Sequence, residues 1–321
     1  MKRLIPPALL MTVLLTACEK DITVDLPTTE PRLVVEGTIE TGQPPFILLT
    51  RTQSYFAPTS VQSLSDIYVT DGVMTIFDGV TTHTLDKLCS GSLTEEQLQL
   101  AAEATGIDIN LLRQVNICAW TKLDGTLLGE VGRTYRLDIQ ADGKSISSTT
   151  TIPSVIALDS LWFKLAEQDP GDDSLGLIWA RLADPDTLGN AYRWFAKRLN
   201  AGPDGQPKDD PFIAPLFSVF EDKFVNGLTF DFNFVRGSQA FSSADDDNNA
   251  ESGLFKRGDT VAVKFVSLGN KEFEFYNSFA NNVASAGDLF SNPANAVGNI
   301  EGGLGIWAGY AASLDTVICV P

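Results

Sequence analysis

Strict alternation of apolar and polar residues is the feature that most limits the fold of this chain. Residues 135–140 alternate in this way, and a second β-rich run, 145–152, follows Asp142-Gly143. An Asp-Gly pair between two such runs is a strong signal for a β-hairpin with a type I′ turn. The same period recurs over 228–234, where the apolar positions are Leu228, Phe230, Phe232 and Phe234. These patterns predict half-buried β-strands.

Short β-rich runs bounded by turn residues continue along the chain without a βαβ rhythm, which indicates sandwich architecture. The 321 residues have room for about two domains. We predict a mainly β fold with two tandem β-sandwich domains, Ig-like or transthyretin-like, over 32–152 and 153–321. The boundary is placed at Pro153, where a proline interrupts the strand pattern. The predicted strands are 32–39, 46–50, 73–78, 135–140, 145–152, 161–165, 175–182, 191–199, 228–234 and 260–268.

A helical insert is predicted within the first domain, over residues 92–116. Ser92 and Glu95 have the spacing of a capping box, Gly106 is placed to end the first helix, and Asp108 is placed to cap a second. This pair of helices resembles a DNA-reading helix-turn-helix, but it carries one Arg and no Lys against four acids. Phosphate neutralisation is the main source of DNA affinity, so we predict a helical hairpin that caps the β-domain.

The second domain is predicted to contain one helix and an aromatic core. Residues 271–284 place Phe273 and Tyr276 on one helical face, with Asn270 as a candidate cap. The aromatic positions of 228–234 are interpreted as core, and a glycan-stacking platform is the alternative.

Cys89 and Cys118 flank the helical insert. In an exported protein, two cysteines that bracket such an excursion favour a disulfide, and two small buried thiols are the alternative. Cys319 has no evident partner in the sequence.

The N-terminus has the organisation of an export signal. Lys2 and Arg3 precede an apolar run of eight residues, 8–15, which is far shorter than the roughly 20 residues of a membrane-spanning helix. The segment Leu15-Thr-Ala-Cys18 resembles a bacterial lipobox. We therefore predict a signal peptide over 1–17, cleavage between Ala17 and Cys18, acylation of Cys18 and an acidic tether over 18–31. A buried N-terminal strand or an ordinary signal peptide is the alternative.

The net charge of the chain limits the kinds of molecule that it can bind. The formal net charge is −18, and removal of Lys2 and Arg3 with the signal peptide makes it −20. Such a surface repels nucleic acid and anionic headgroups. We expect no nucleic-acid partner, and membrane contact only through the N-terminal lipid.

Residues 292–310, Asn-Pro-Ala-Asn-Ala-Val-Gly-Asn-Ile-Glu-Gly-Gly-Leu-Gly-Ile-Trp-Ala-Gly-Tyr, resemble the closing motif of domain-of-unknown-function family 4249. Three further segments fit it: Cys18-Glu-Lys before an Asp-Leu-Pro tether, Leu33-Val-Val-Glu-Gly37, and Val131-Gly-Arg-Thr-Tyr-Arg-Leu137. The resemblance implies a Bacteroidota outer-membrane lipoprotein, often encoded beside a TonB-dependent transporter, and implies no reaction. The motif residues taken as the candidate loop are Asn292, Pro293, Asn299, Gly302, Gly303 and Gly305.

The glycines of this motif also invite comparison with a phosphate-binding loop. Such a loop runs into a helix N-terminus with a basic residue nearby, whereas Gly305 leads into a strand-like segment and the nearest charge is Glu301. We interpret them as a tight turn where another backbone passes closely.

Catalytic and metal-binding patterns are weak. His83 is the only histidine and the chain has no Gly-x-Ser-x-Gly elbow. The oxygen-rich run Asp245, Asp246, Asp247 lacks the Glu that closes a calcium loop, which favours a solvated loop. We predict no enzyme activity and no cofactor. The family resemblance, together with the lipobox and the missing catalytic set, implies a binding or accessory subunit of a TonB-dependent uptake system with an unidentified small-molecule or glycan ligand. The alternatives are a surface glycan hydrolase with paired carboxylates, or a structural or adhesive protein.

Overall fold

The strands of this chain meet in one large sheet and two small ones. The computed structural model describes residues 30–320 apart from 55–59, 167–173, 203–204, 206, 210, 238–250, 252 and 286–294. The strands are β1 (Leu33–Glu40), β2 (Phe46–Arg51), β3 (Val73–Phe77), β4 (Thr82–Thr84), β5 (Asp86–Cys89), β6 (Cys118–Thr121), β7 (Thr134–Ala141), β8 (Lys144–Thr151), β9 (Ser160–Leu165), β10 (Leu175–Ala183), β11 (Ala191–Arg198), β12 (Val219–Glu221), β13 (Thr229–Phe234), β14 (Phe255–Lys256), β15 (Thr260–Leu268) and β16 (Leu304–Ile318). The helices are α1 (Val61–Ile67), α2 (Glu95–Thr105), α3 (Ile109–Gln114) and α4 (Asn270–Ala284). The predicted mainly β class is confirmed.

β16 is the central strand of the molecule. The large sheet has eight strands in the order β12-β11-β15-β16-β1-β2-β6-β5. β16 pairs with β1 in parallel and with β15 in antiparallel orientation. Strands from both sides of residue 153 therefore share one sheet, and residues 31–321 form one compact unit. The structure departs here from two separate tandem domains, because β16 of the second predicted domain completes the sheet of the first.

The two small sheets cover one face of the large sheet, which we call the sheet-covered face. The order β4-β3-β7-β8 forms the first, and β13, β10, β14 and β9 form the second. Trp307 of β16 packs in the core of the first small sheet, and Phe265 of β15 packs in the core of the second. Each predicted half thus keeps its own sandwich layer and core.

The predicted hairpin and aromatic core are confirmed. Asp142 and Gly143 have φ angles of 51° and 69°, as a type I′ turn requires. Phe230, Phe232 and Phe234 pack against the core of the second small sheet. Leu228 is 54% exposed and does not belong to that core.

The helical insert is confirmed, with one change in its caps. Thr94, not Ser92, caps α2 and forms a capping box with Gln97, because Ser92 belongs to a short 3-10 turn. Gly106 ends α2 in the left-handed conformation and Asp108 caps α3, as predicted. The helix of the second half begins one residue early: Gly269 is its N-cap, and Asn270 is its first residue.

The predicted disulfide between Cys89 and Cys118 is present, and it joins opposite residues of β5 and β6. The sequence separation of the two cysteines is 29 residues. On the chain-entropy model, a loop of that length loses about 3.5 kcal/mol of stabilisation when it is opened. We expect the double variant Cys89→Ser, Cys118→Ser to lose about that much in urea unfolding. A wild-type protein unfolded in reductant should show the same loss, and no loss in either case would contradict the expectation.

Candidate functional site on the helix-covered face

Helices cover the opposite face of the large sheet at two places and leave a polar region between them. The α2–α3 hairpin packs on β2 through a cluster that includes Leu48, Leu98 and Leu112. α4 packs on β11, β15 and β16 through Val266, Tyr310 and their neighbours. We call this the helix-covered face.

Arg193 is the main cation of this region. Alternation along β11 places Tyr192 and Trp194 in the core under the second small sheet and Arg193 on the helix-covered face. The guanidinium carbon lies 3.7 Å from the ring centroid of Tyr276 and 4.8 Å from that of Phe195. Arg193 Nη1 donates to the hydroxyl of Tyr310 at 3.1 Å. Within the described residues, no carboxylate lies within the 4.0 Å of an ion pair with Arg193.

Two tyrosines from different elements meet beside this guanidinium. The hydroxyl of Tyr310, on β16, donates to that of Tyr276, on α4, at 2.5 Å. Burial raises the pKa of both phenols, so both stay protonated at neutral pH. The pair therefore offers neutral hydroxyls and a fixed aromatic wall.

Glu36 lies on β1, on the same face. Its side chain is exposed to solvent, yet the surrounding protein raises the pKa of its carboxyl, and the positive charge of Arg193 acts in the opposite direction. The Glu36 carboxylate forms no hydrogen bond or ion pair with another residue of the described part of the chain.

Glu40, four residues further along β1, is already paired. Its Oε2 lies 3.0 Å from Nζ of Lys264 on β15. Lys264 also lies over the rings of Phe195 and Phe212, at 5.0 and 5.3 Å from their centroids. This ion pair closes one side of the polar region.

A half-open cavity of about 110 Å³ lies next to Arg193. Its other walls come from α4 and from the segment that precedes β12. The lining residues are Arg193, Ala214, Pro215, Leu216, Phe217, Ser218, Val219, Tyr276, Phe279 and Ala280. Phe217 has a φ of 61°, which bulky side chains rarely adopt. Strain of this kind is typical of binding segments held by their surroundings.

The glycine motif has a structural role and is not part of this cavity. A Cβ on Gly305 would lie 1.9 Å from the carbonyl oxygen of Val35, so β1 passes directly against this backbone. Gly302 turns with a φ of 79° and Gly303 lies close to the backbone of Leu33. Asn299 brackets Trp307, accepting from its N–H at 2.9 Å and donating to its carbonyl at 2.8 Å. The predicted close approach is confirmed.

Other candidate residues lie apart or outside the described chain. His83 lies on β4, with Nε2 3.2 Å from Asp78 Oδ2. The N–H groups of Thr81 and Val80, followed by His83, lower the pKa of Asp78 to about 2. The predicted positions outside the described residues are Ala17, Cys18, Asp245, Asp246, Asp247, Asn292 and Pro293.

The described residues contain neither a metal-ligand cluster nor a membrane-spanning helix. No group of three or more His, Cys, Asp or Glu residues in this part of the chain is placed to hold a metal ion. None of its helices combines the length and the apolar character needed to cross a membrane.

The comparison with protein-family models matches residues 19–314 to the domain of unknown function DUF4249. The chain belongs to this family. The comparison with curated proteins gave no match. The DUF4249 match covers β1, the cavity and most of β16, so these features belong to the family domain of this chain.

The sequence analysis did not identify Arg193 or Glu36 as site residues. One signal was present: each is a charged residue inside a run that otherwise reads as a buried strand. A charge at such a position needs a partner or water. Tyr276 was predicted as a core residue of its helix, and its hydroxyl contact is visible only in the structure.

Proposed function

We propose that this DUF4249 protein is a lipid-anchored binding protein of the outer membrane that serves a TonB-dependent uptake system, and that the cavity beside Arg193 is its ligand site. The observation that carries the binding role is Arg193, a cation with no carboxylate within 4.0 Å among the described residues, in the wall of a half-open cavity lined mostly by apolar residues. Pockets with a few placed polar groups among apolar walls are typical of ligand sites.

The location and the partner are supported by sequence features. The lipobox-like segment ending at Cys18 supports a lipid anchor. The disulfide between Cys89 and Cys118 suits an oxidising compartment. The uptake role rests on the neighbours that the family resemblance implies.

Binding is favoured over glycan hydrolysis at this site. A hydrolase would need two carboxylates roughly 5–10 Å apart. The carboxylates that β1 presents on this face, Glu36 and Glu40, are four residues apart, which is about 13 Å along a strand. Glu40 is also held by Lys264.

The anchor and the partner are tested together. We expect Cys18→Ala to move the protein from the membrane to the soluble fraction, because the acyl chains are lost. The double variant Cys89→Ser, Cys118→Ser is the matched control and should stay in the membrane fraction. Affinity purification of the wild type in mild detergent should recover a β-barrel transporter.

Two outcomes would contradict the proposal. A Cys18→Ala variant that stays with the membrane would show that a lipid on Cys18 does not anchor the protein. If the wild-type protein purifies as a clean monomer across growth conditions, it does not bind a transporter. That result would contradict the transport role and favour a structural or adhesive one.

A further inference from the structure

The structure assigns to the cavity beside Arg193 a ligand with a carboxylate attached to a small apolar group. This inference rests on the proposed binding function and specifies its ligand. It starts from the guanidinium, which is charged at all physiological pH values and is half-buried. A charge in such a setting is costly unless it is paired.

The rings around Arg193 determine the direction from which a ligand can approach. Tyr276 and Phe195 lie 3.7 and 4.8 Å from the guanidinium carbon. The guanidinium lies over both rings, so a ligand cannot approach from those directions. Nη1 already donates to Tyr310, and a carboxylate can bind the remaining N–H groups through two parallel hydrogen bonds.

The rest of the cavity determines what the carboxylate is attached to. Leu216, Phe217, Val219, Phe279 and Ala280 are apolar, and Arg193 is the charged residue among the lining side chains. Ser218 and Tyr276 are the other polar lining residues. A phosphate would place its further oxygens among mostly apolar side chains, where they would lose hydration and gain few donors in return.

The size of the cavity limits the enclosed part of the ligand. Its volume of about 110 Å³ is below the roughly 150 Å³ of an engineered cavity that binds benzene. The enclosed part is therefore a carboxylate with a few carbon atoms, and the open side lets a larger molecule extend outward. Both a free carboxylic acid and the C-terminus of a peptide with an apolar last residue have this chemistry.

Calorimetric titration of the purified full chain tests the inference. The probes are butyrate and its neutral amide, and the tripeptide Gly-Gly-Ala with a free or an amidated C-terminus. We expect the carboxylate of each pair to bind about tenfold or more tightly than the amide, because its hydrogen bonds to Arg193 are charge-assisted. Binding of butyrate alone would identify a free acid as the ligand type, and binding of both acids would include peptides.

Variants separate the role of Arg193 from general damage. Arg193→Gln should abolish the preference for the carboxylate, and Arg193→Lys should keep a weaker one because lysine lacks the planar fork. Arg181→Gln is the matched control, since Arg181 is an exposed arginine that pairs with Asp231 on the second small sheet. It should leave both affinities unchanged.

Three results would overturn the inference: equal binding of acids and amides, unchanged preference in a folded Arg193→Gln variant, or no binding of either acid by wild type. If Arg193→Gln does not fold, the acid–amide comparison on wild type decides. Recovery of the transporter without acid binding would leave the proposed function intact and remove only the ligand class.

Discussion

Replacing Asp209 with alanine is expected to lower the free energy of unfolding by about 3–5 kcal/mol, among the largest effects of any single substitution in this chain. Asp209 accepts from Arg198 Nε at 2.8 Å and Nη2 at 2.7 Å, and from the backbone N–H of Arg198 at 2.8 Å. The Arg198 and Asp209 side chains are only 5% and 4% exposed. Removal of the carboxylate leaves a guanidinium enclosed by protein. Glu251, 3.2 Å from Arg198 Nη1, compensates in part, so we expect the lower end of the range.

Urea unfolding of Asp209→Ala measures this loss, and Asp231→Ala is the matched control. Asp231 also binds an arginine through two bonds, at 2.7 and 3.0 Å to Arg181, but both side chains are exposed. Exposed pairs contribute about 0–1 kcal/mol. Equal losses in the two variants would show that burial does not set the strength of the Arg198–Asp209 pair.

Gly305→Ala is expected to cost about 3 kcal/mol or more. The φ of Gly305 is 96°, and a side chain in a sparsely populated backbone region costs about 1–3 kcal/mol. The added Cβ would also lie 1.9 Å from the carbonyl oxygen of Val35, so β1 and β16 would have to separate. Forced shifts of this kind in a packed core cost a further 1–3 kcal/mol or so.

Gly132→Ala separates the two contributions to that loss. Gly132 has a φ of 78°, and a Cβ built on it meets nothing within 4 Å. It should therefore lose only the conformational part, about 1–2 kcal/mol. Urea unfolding of both variants gives the difference, which measures the contact between β1 and β16. If the two losses are equal, that contact does not constrain the sheet.

Local structure was predictable because neighbouring residues determine it. The period-two runs became strands, Asp142-Gly143 became a hairpin turn, and Gly106 ended a helix. The order of strands in the large sheet was not predictable. β1 and β16 are separated by more than two hundred residues, and no local pattern records which strand pairs with which. A boundary drawn where the local pattern changes therefore divided a sheet that is continuous in space.

The cavity could not be predicted from the sequence for the same reason. Arg193, Tyr276 and Tyr310 come from a strand, a helix and a second strand, and each has an ordinary neighbourhood in the sequence. The site forms only where these residues meet in the fold. The Arg193 guanidinium carbon lies 3.7 Å from the ring centroid of Tyr276, and the hydroxyls of Tyr276 and Tyr310 are 2.5 Å apart. The glycine motif could be recognised in the sequence because the residues that form its tight turn are close together in the chain.

The central position of β16 also has a consequence for the order of events during synthesis. Among the described residues, β16 (Leu304–Ile318) is the strand that joins β15 to β1 in the large sheet. Until that segment has been made, the growing chain holds two half-sheets, one with an open edge at β15 and the other with an open edge at β1. The two half-sheets can therefore join only after residues 304–318 have been made, and these follow every other strand in the described part of the chain.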